Sequence, residues 1–130
     1  MQRVVQAYVN ELEKLLDQGK KIILIDPVPE AGWHVPDTLA KLQQYTGSEQ
    51  ILSTSFDLYK GRNQFFIEAM EKISNQNFIR IKPQNILCSE QTNRCVHELD
   101  ERVLYFDDDH LNNKGAELIS SILEEHIKYN

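Results

Sequence analysis

The stretch Ile22-Ile23-Leu24-Ile25-Asp26-Pro27 decides the fold class of this chain. Four consecutive apolar residues without polar alternation are typical of a strand that is covered on both faces, as in a parallel sheet. The strand should end at Asp26, because Pro27 and Pro29 cannot continue a central strand.

Helices are predicted on both sides of this strand. Before it, apolar residues recur at spacings of three and four, and Gly19 follows in the position of a left-handed C-cap. These apolar residues are Val5, Tyr8, Val9, Leu12, Leu15 and Leu16. After the strand, a helix is predicted to begin at Pro36, a favoured first helical residue, and to end at Gly47.

The middle of the chain is harder to interpret. Residues 48–62 are predicted to be a loop with a possible short strand or turn. Apolar residues within 65–73 have helical spacing and predict a second clear helix. Two further short strands are predicted, at residues 78–81 and 103–106.

A terminal helix is predicted with Asn112 or Asn113 as its cap. Its apolar stripe consists of Leu118, Ile119, Ile122, Leu123 and Ile127. The whole order predicts an α/β fold in one domain, residues 1–130, with helices packed on a mainly parallel sheet.

Only three strands are predicted, whereas a sheet of this type usually has about five or six. We therefore expect the domain to be N-terminally truncated, with the missing strands before residue 1. A truncated sheet exposes an unpaired edge, and such edges pair with other chains, so self-association is predicted.

The net charge argues against two classes of partner. The 130 residues carry 14 Lys and Arg against 20 Asp and Glu, a net charge of -6. Nucleic acid and anionic membrane surfaces both require a basic face, so neither is expected as a partner. No apolar run is long enough to span a bilayer, and the first residues show no signal peptide.

Cys88 and Cys95 are the only cysteines. They are compatible with two independent thiols or with a local disulfide across the polar, turn-prone residues between them. A zinc site is disfavoured, because the spacing is too wide for a knuckle and no second cysteine pair exists.

Ligands of open α/β sheets bind beyond the carboxyl ends of the strands, which here directs attention to residues 26–35 and 107–112. Asp107 precedes His110 by three residues, so its carboxylate can hold one imidazole nitrogen while the other takes a proton. The alternatives are acidic residues that favour a helix N-terminus beside a solvated histidine, or a metal site formed by Asp107, Asp109 and His110.

Other single residues have weaker signals. Trp33 and His34 lie in the Pro-rich loop and are candidates for lining an acyl or sugar pocket, although Trp33 could equally cover the edge of the core. His97 and His126 are predicted to be surface residues.

Two blocks resemble one known family. Residues 105–116, YFDDDHLNNKGA, resemble the last conserved block of SGNH hydrolases, Asp-x-x-His-Leu-Ser/Asn-x-x-Gly. Residues 26–36, DPVPEAGWHVP, resemble the Pro-x-Pro-Glu loop of the branch fused behind the membrane-embedded acyltransferase family 3 domain of bacterial O-acyltransferases. The pair Cys88 and Cys95 also lies where that branch carries a cysteine pair.

The resemblance implies a flavodoxin-like three-layer α/β/α fold and ester chemistry on acylated cell-surface glycans, without a cofactor. It assigns His110 as the general base and Asp107 as its orienting carboxylate. It also implies a Cys88–Cys95 disulfide, because these domains face the oxidising periplasm or cell exterior, tethered to the membrane through the acyltransferase domain.

The chain departs from the family at the nucleophile. No serine follows Gly-Asp, no Gly-x-Asn-Asp occurs within residues 1–105, and Ser48 follows a predicted helix end. We therefore expect the C-terminal part of an SGNH domain, nearly inactive without the nucleophile and oxyanion hole of the N-terminal remainder. The alternative is a non-catalytic α/β interaction or regulatory module.

Overall fold

The computed structural model of the chain describes residues 2–46 and 52–128. Its elements, in chain order, are α1 Gln2–Asp17, β1 Ile22–Ile25, α2 Val35–Thr46, β2 Ser53–Ser55, α3 Phe56–Glu71, β3 Phe78–Ile81, α4 Gln84–Leu87, β4 Cys88–Ser89, β5 Arg94–Val96, β6 Glu98–Leu99, β7 Arg102–Val103 and α5 Asn113–Lys128. The predicted helix end at Gly47 and residues 48–51 of the predicted loop lie outside the described residues. The α/β class is confirmed.

The two strands predicted at 22–25 and 78–81 pair with each other in parallel. Their register runs from Ile22 opposite Phe78 to Ile25 opposite Ile81. The helix before β1 ends as predicted, since Gly19 follows it with a φ of +76°, in the left-handed region that favours glycine. Self-association through the unpaired edge of β1 stays a prediction.

Helices α1 and α3 pack on one face of this strand pair. The apolar side chains that meet there are Val9, Leu12, Ile22, Leu24, Phe66, Ala69, Met70, Ile73 and Phe78. Helix α5 contacts β3. Each large side chain that becomes fully buried in this way contributes about 1.5–3 kcal/mol.

The predicted mainly parallel sheet is wrong for the described residues, in which β1–β3 is the sole parallel pair. Strands β2, β5 and β4 form an antiparallel sheet, and β6 and β7 form a hairpin. The predicted strand at 103–106 is not a sheet strand along its length: Val103 pairs with Glu98, and Tyr105 forms an isolated bridge with Leu111. Val103, Leu104 and Tyr105 pack into a core, whereas Phe106 is exposed. An apolar run therefore does not by itself identify a parallel strand.

For residues 48–62, predicted as a loop with a possible short strand or turn, the short strand is present but the loop is wrong from Phe56 onward. Residues 53–55 form β2, and helix α3 begins at Phe56, well before the predicted start at Phe65. The Ser55 side chain caps this helix by accepting a hydrogen bond from the backbone N–H of Leu58. Phe56 and Tyr59 are then anchored by burial, which overrides the weak helical pattern of this segment.

Cys88 and Cys95 are directly opposite each other on β4 and β5 and form a disulfide, which confirms the implied pairing. Cys95 is completely buried in a cluster with Phe56 and Tyr59. By the loop-entropy relation, closing so short a loop contributes about 2 kcal/mol.

A second core lies beneath residues 26–35 and 107–112, the two segments predicted to be functional. It joins Ala31 and Val35, next to the Pro-rich loop, to Leu104 and Tyr105, just before the acidic loop. None of the helices in ranges 2–46 and 52–128 combines the length and apolar composition of a membrane span.

Candidate active site

The acidic loop leaves the core at Tyr105 and returns at Leu111. These two residues form an antiparallel bridge. Inside the bridge, the backbone N–H of Phe106 donates to the carbonyl oxygen of His110 at 2.8 Å. Residues 106–110 therefore form a closed loop whose two ends are held together immediately before α5.

Asp107 organises this loop with both carboxylate oxygens. Its Oδ1 accepts the backbone N–H groups of Asp109 at 3.1 Å and of His110 at 2.7 Å. Its Oδ2 lies 2.9 Å from Nδ1 of the His110 ring. One carboxylate thus folds the backbone and orients the imidazole, which explains why two residues separate the Asp from the His.

The pKa values of both groups reflect this contact. Hydrogen bonds from the backbone N–H groups of His110 and Asp109 lower the pKa of Asp107 to about 2, so the carboxylate is ionised at neutral pH. The hydrogen bond to Asp107, and the charges of Asp107 and Asp109, raise the pKa of His110 above its usual 6.5.

The two nitrogens of the His110 imidazole have different surroundings: Nδ1 faces the acidic side chains, and the rest of the ring is exposed. Nδ1 hydrogen-bonds to Asp107 and also lies 2.8 Å from Oδ1 of Asp109, whose negative charge adds to that of Asp107 beside the same nitrogen. A neutral ring with its proton on Nδ1 has an unprotonated Nε2. Since 74% of the His110 side chain is exposed, Nε2 is able to accept a proton from an approaching hydroxyl.

The same three side chains form the candidate metal site. Ligand atoms of Asp107, Asp109 and His110 lie within 4.8 Å of one another. Nδ1 of His110 already hydrogen-bonds to Oδ2 of Asp107, so a metal ion bound through Nδ1 would have to displace the proton that joins these two atoms.

Asn112 fixes the exit of the loop. Its Oδ1 accepts the backbone N–H groups of Lys114 and Gly115, so it is the residue that caps α5, as one of the two predicted alternatives stated. Its Nδ2 donates to the carbonyl oxygen of Val103 at 2.8 Å, and its backbone N–H donates to Leu104. The end of the loop is thereby held between β7 and α5.

Gly115 is required by close packing. A Cβ atom at this position would collide with the carbonyl oxygen of Leu104 and would lie 2.7 Å from Cδ2 of Leu111. The first turn of α5 can therefore approach the segment that carries the acidic loop only with glycine there. This explains the glycine of the Asp-x-x-His-Leu-Ser/Asn-x-x-Gly block physically.

We expect Gly115→Ala to destabilise the chain by about 1–3 kcal/mol, because backbone and Leu111 must move to admit the methyl group. Urea unfolding measures this. The matched control is Gly61→Ala within α3, where an added Cβ meets nothing within 4 Å; it should stabilise by about 0.5–1 kcal/mol. Equal effects at the two glycines would contradict the close-packing explanation.

The Pro-rich loop is bonded to the acidic loop through backbone groups. The N–H of Ala31 donates to the carbonyl oxygen of Asp108 at 2.8 Å, and the N–H of Val35 donates to that of Asp107 at 3.2 Å. The Tyr105 hydroxyl donates to the carbonyl oxygen of Pro29 at 2.6 Å. The Pro-rich loop and the acidic loop, which the sequence predicted as two separate candidate segments, thus form one surface.

Trp33 and His34 lie between the two bonded residues of that loop. Trp33 is 37% exposed and packs edge-on against the ring of His97. Nδ1 of His34 accepts the backbone N–H of Asp37 at 3.4 Å, and its carbonyl oxygen accepts from Thr38, so His34 caps the first turn of α2. Their substrate-binding role stays a prediction.

The prediction that His97 is a surface residue is wrong, because its exposed fraction is 0%. Its backbone N–H donates to Leu52, and its carbonyl oxygen accepts from Leu104. These bonds draw it inward from a polar stretch whose sequence carries no signal of burial. Desolvation, and then the charge of Arg94, lower the pKa of His97 to about 4.

This depressed pKa predicts a pH-dependent stability. The unfolded chain binds a proton at His97 near pH 6.5 and the folded chain only near 4, so stability is lost as the pH falls through this interval. The difference corresponds to about 3 kcal/mol at most. We expect His97→Gln to flatten the dependence, as measured by urea unfolding at pH 7.5 and 4.5; an unchanged slope would contradict the assignment to His97.

A buried ion pair lies below the Pro-rich loop and was missed from the sequence. The Arg80 guanidinium donates to both carboxylate oxygens of Asp26, at 3.0 and 2.5 Å. Gln84 also contacts Asp26, and the Tyr59 hydroxyl donates to Gln84 and to the carbonyl oxygen of Pro27. The position of Arg80 inside an apolar strand could have indicated this ion pair, because a buried cation requires a partner of opposite charge.

Comparison with known proteins identifies one family. The family model described as the SGNH domain (fused to AT3 domains) matches residues 1–125. Neither a curated protein nor a solved structure matches the chain significantly.

Proposed function

This chain belongs to the family of SGNH domains fused to AT3 domains, and from that premise we propose that it is the C-terminal part of an esterase or O-acyltransferase domain. His110 is the general base. Asp107 orients its ring and raises its pKa. The observation that carries the proposal is the 2.9 Å contact between Asp107 Oδ2 and His110 Nδ1, with the rest of the ring exposed.

The chemistry requires a serine from the N-terminal remainder of the domain. Nε2 of His110 removes the proton as the serine hydroxyl attacks the acyl carbonyl, and the imidazolium is stabilised by Asp107. His110 then gives this proton to the leaving alcohol oxygen, which forms an acyl-serine. Water or an acceptor hydroxyl, deprotonated by His110, then attacks the acyl-serine. As the acyl–oxygen bond breaks, His110 returns that proton to the serine oxygen, which regenerates the free serine.

Several features support acylated cell-surface glycans as the substrate class and an extracytoplasmic location. Family members are fused to AT3 domains, so a membrane acyltransferase domain is the proposed partner. The Cys88–Cys95 disulfide is typical of an oxidising compartment. Trp33 and His34 are proposed to contact the glycan, since they lie beside the acidic loop and an aromatic face suits a sugar.

The test is turnover by the complete protein, with its remainder and membrane domain present. His110→Ala is expected to reduce ester hydrolysis or acyl transfer at least about 100-fold, the usual contribution of a general base. His126→Gln, in the last turns of α5, is the histidine control and should leave turnover unchanged. Normal turnover in His110→Ala would disprove the role.

A second candidate is a non-catalytic interaction module, which is favoured by one observation: no serine of this chain follows Gly-Asp. A fluorophosphonate probe distinguishes the two functions, because it modifies only an activated serine. Labelling of the complete protein that depends on His110 supports the enzyme. Absence of labelling supports the module.

A further inference from the structure

We propose that His97 is a positioning residue that holds the Asp107–His110 loop in its reactive geometry through Tyr105 and Trp33. The structural part of this inference stands on the contacts below. Its consequence for turnover rests on the proposed function.

The ring of His97 lies between one aromatic residue from each of the two bonded segments. It packs edge-on against Tyr105, with ring centroids 4.9 Å apart at 81°, and against Trp33, at 6.1 Å and 87°. Edge-to-face contacts have a preferred geometry, so they define how the rings lie relative to one another. His97 is thus the shared contact of the Pro-rich loop and the start of the acidic loop.

Tyr105 transmits this position to the site. It is completely buried, its hydroxyl is bonded to Pro29, and its bridge to Leu111 closes the acidic loop. Asp107 follows two residues later. The backbone of Tyr105 leads directly into the acidic loop. A shift of the Tyr105 ring would therefore also move the backbone from which the Asp107 carboxylate projects.

Thr54 fixes the orientation of the imidazole. Its Oγ1 lies 3.0 Å from Nε2 of His97, whereas Nδ1 is a buried side-chain atom without a hydrogen-bond partner in the described part of the chain. A buried polar atom without a partner is unfavourable, so an apolar ring would suit the core better. What histidine adds over phenylalanine is the bond to Thr54, which prevents the ring from turning between Tyr105 and Trp33.

Two complementary variants test the inference in the 130-residue chain. His97→Gln keeps an amide able to reach Thr54 but loses the ring, and Thr54→Val keeps the ring but loses its anchor. The readout is the tautomer of neutral His110, from the ¹⁵N shifts of its imidazole. In the wild type we expect the proton on Nδ1, facing Asp107; in His97→Gln most of this preference should be lost, and in Thr54→Val part of it.

In the complete protein, His97→Gln should lower kcat about 10-fold or more with little change in KM, and His126→Gln should change neither. A folded His97→Gln chain with the wild-type His110 tautomer would overturn the inference. So would unfolding of both variants, because His97 would then only hold the core. If the tautomer changes while His110→Ala retains full turnover, the positioning role stands and the proposed function fails.

Discussion

Replacing Asp107 with Asn is expected to reduce turnover by the complete protein by about 10⁴-fold, the effect of such a change in a serine-histidine-aspartate site. An asparagine oxygen can still accept the backbone N–H groups of Asp109 and His110, so the loop should keep its shape. Its amide NH₂ would then face Nδ1 of His110. That arrangement places the imidazole proton on Nε2, the nitrogen that has to act as the base.

The pH dependence supplies a second readout of the same variant. A general base is active when neutral, and Asp107 raises the pKa of His110, so the acidic limb of the wild-type profile should lie above pH 6.5. Loss of the Asp107 charge should move this limb to lower pH in the residual activity. Steady-state kinetics between pH 5 and 9 measure both effects.

Asp109→Asn is the matched control for this prediction. Asp109 also lies close to Nδ1 of His110, at 2.8 Å, but its pair with His110 is more exposed, and its carboxylate accepts no backbone bond within the loop. We expect a loss of about 10-fold or less. A larger loss in Asp109→Asn than in Asp107→Asn would mean that the orienting carboxylate has been wrongly assigned.

Asp26→Ala is expected to destabilise the chain by about 3–5 kcal/mol, the largest stability effect that we predict. The Asp26 side chain is fully buried and that of Arg80 is 9% exposed. Removal of the carboxylate therefore leaves a buried guanidinium without its counter-charge. Since domains of this size have about 5–15 kcal/mol of stability in total, urea unfolding should show a large shift of the midpoint.

Two further variants test whether the buried, unpaired charge causes the loss of stability. The double change Asp26→Leu with Arg80→Met removes both charges and should recover most of the lost stability. Glu30→Ala breaks the exposed pair with Arg62 and should cost less than about 1 kcal/mol. An Asp26→Ala chain no less stable than Glu30→Ala would contradict the structural role of the pair.

Local sequence predicted some parts of the site because local geometry produces them. The Asp107–His110 contact spans three residues and is made by a turn of the same loop, so spacing alone indicated it. Asn112 was one of two predicted caps for the same reason. Cys88 and Cys95 are joined across a short turn, and the family resemblance selected the disulfide from the two alternatives that spacing left open.

The remaining parts depend on residues that are distant in sequence. His97 is buried because Leu52, Leu104, Trp33 and Tyr105 surround it, and nothing in its polar surroundings predicted this. The bond from Ala31 to Asp108 likewise joins two loops across most of the chain.

By itself, the sequence determined the α/β class, β1 and β3, most of the helices, and the spacing of the acidic loop. All of these follow from periodicity, caps and turns within a few residues. Tertiary structure alone decided that residues 103–105 pack into a core instead of joining a parallel sheet, that α3 begins at Phe56, and that Arg80 pairs with Asp26. The physical reason is that burial and charge pairing depend on which distant segments meet, and a run of apolar residues has the same pattern whether a sheet or a core covers it.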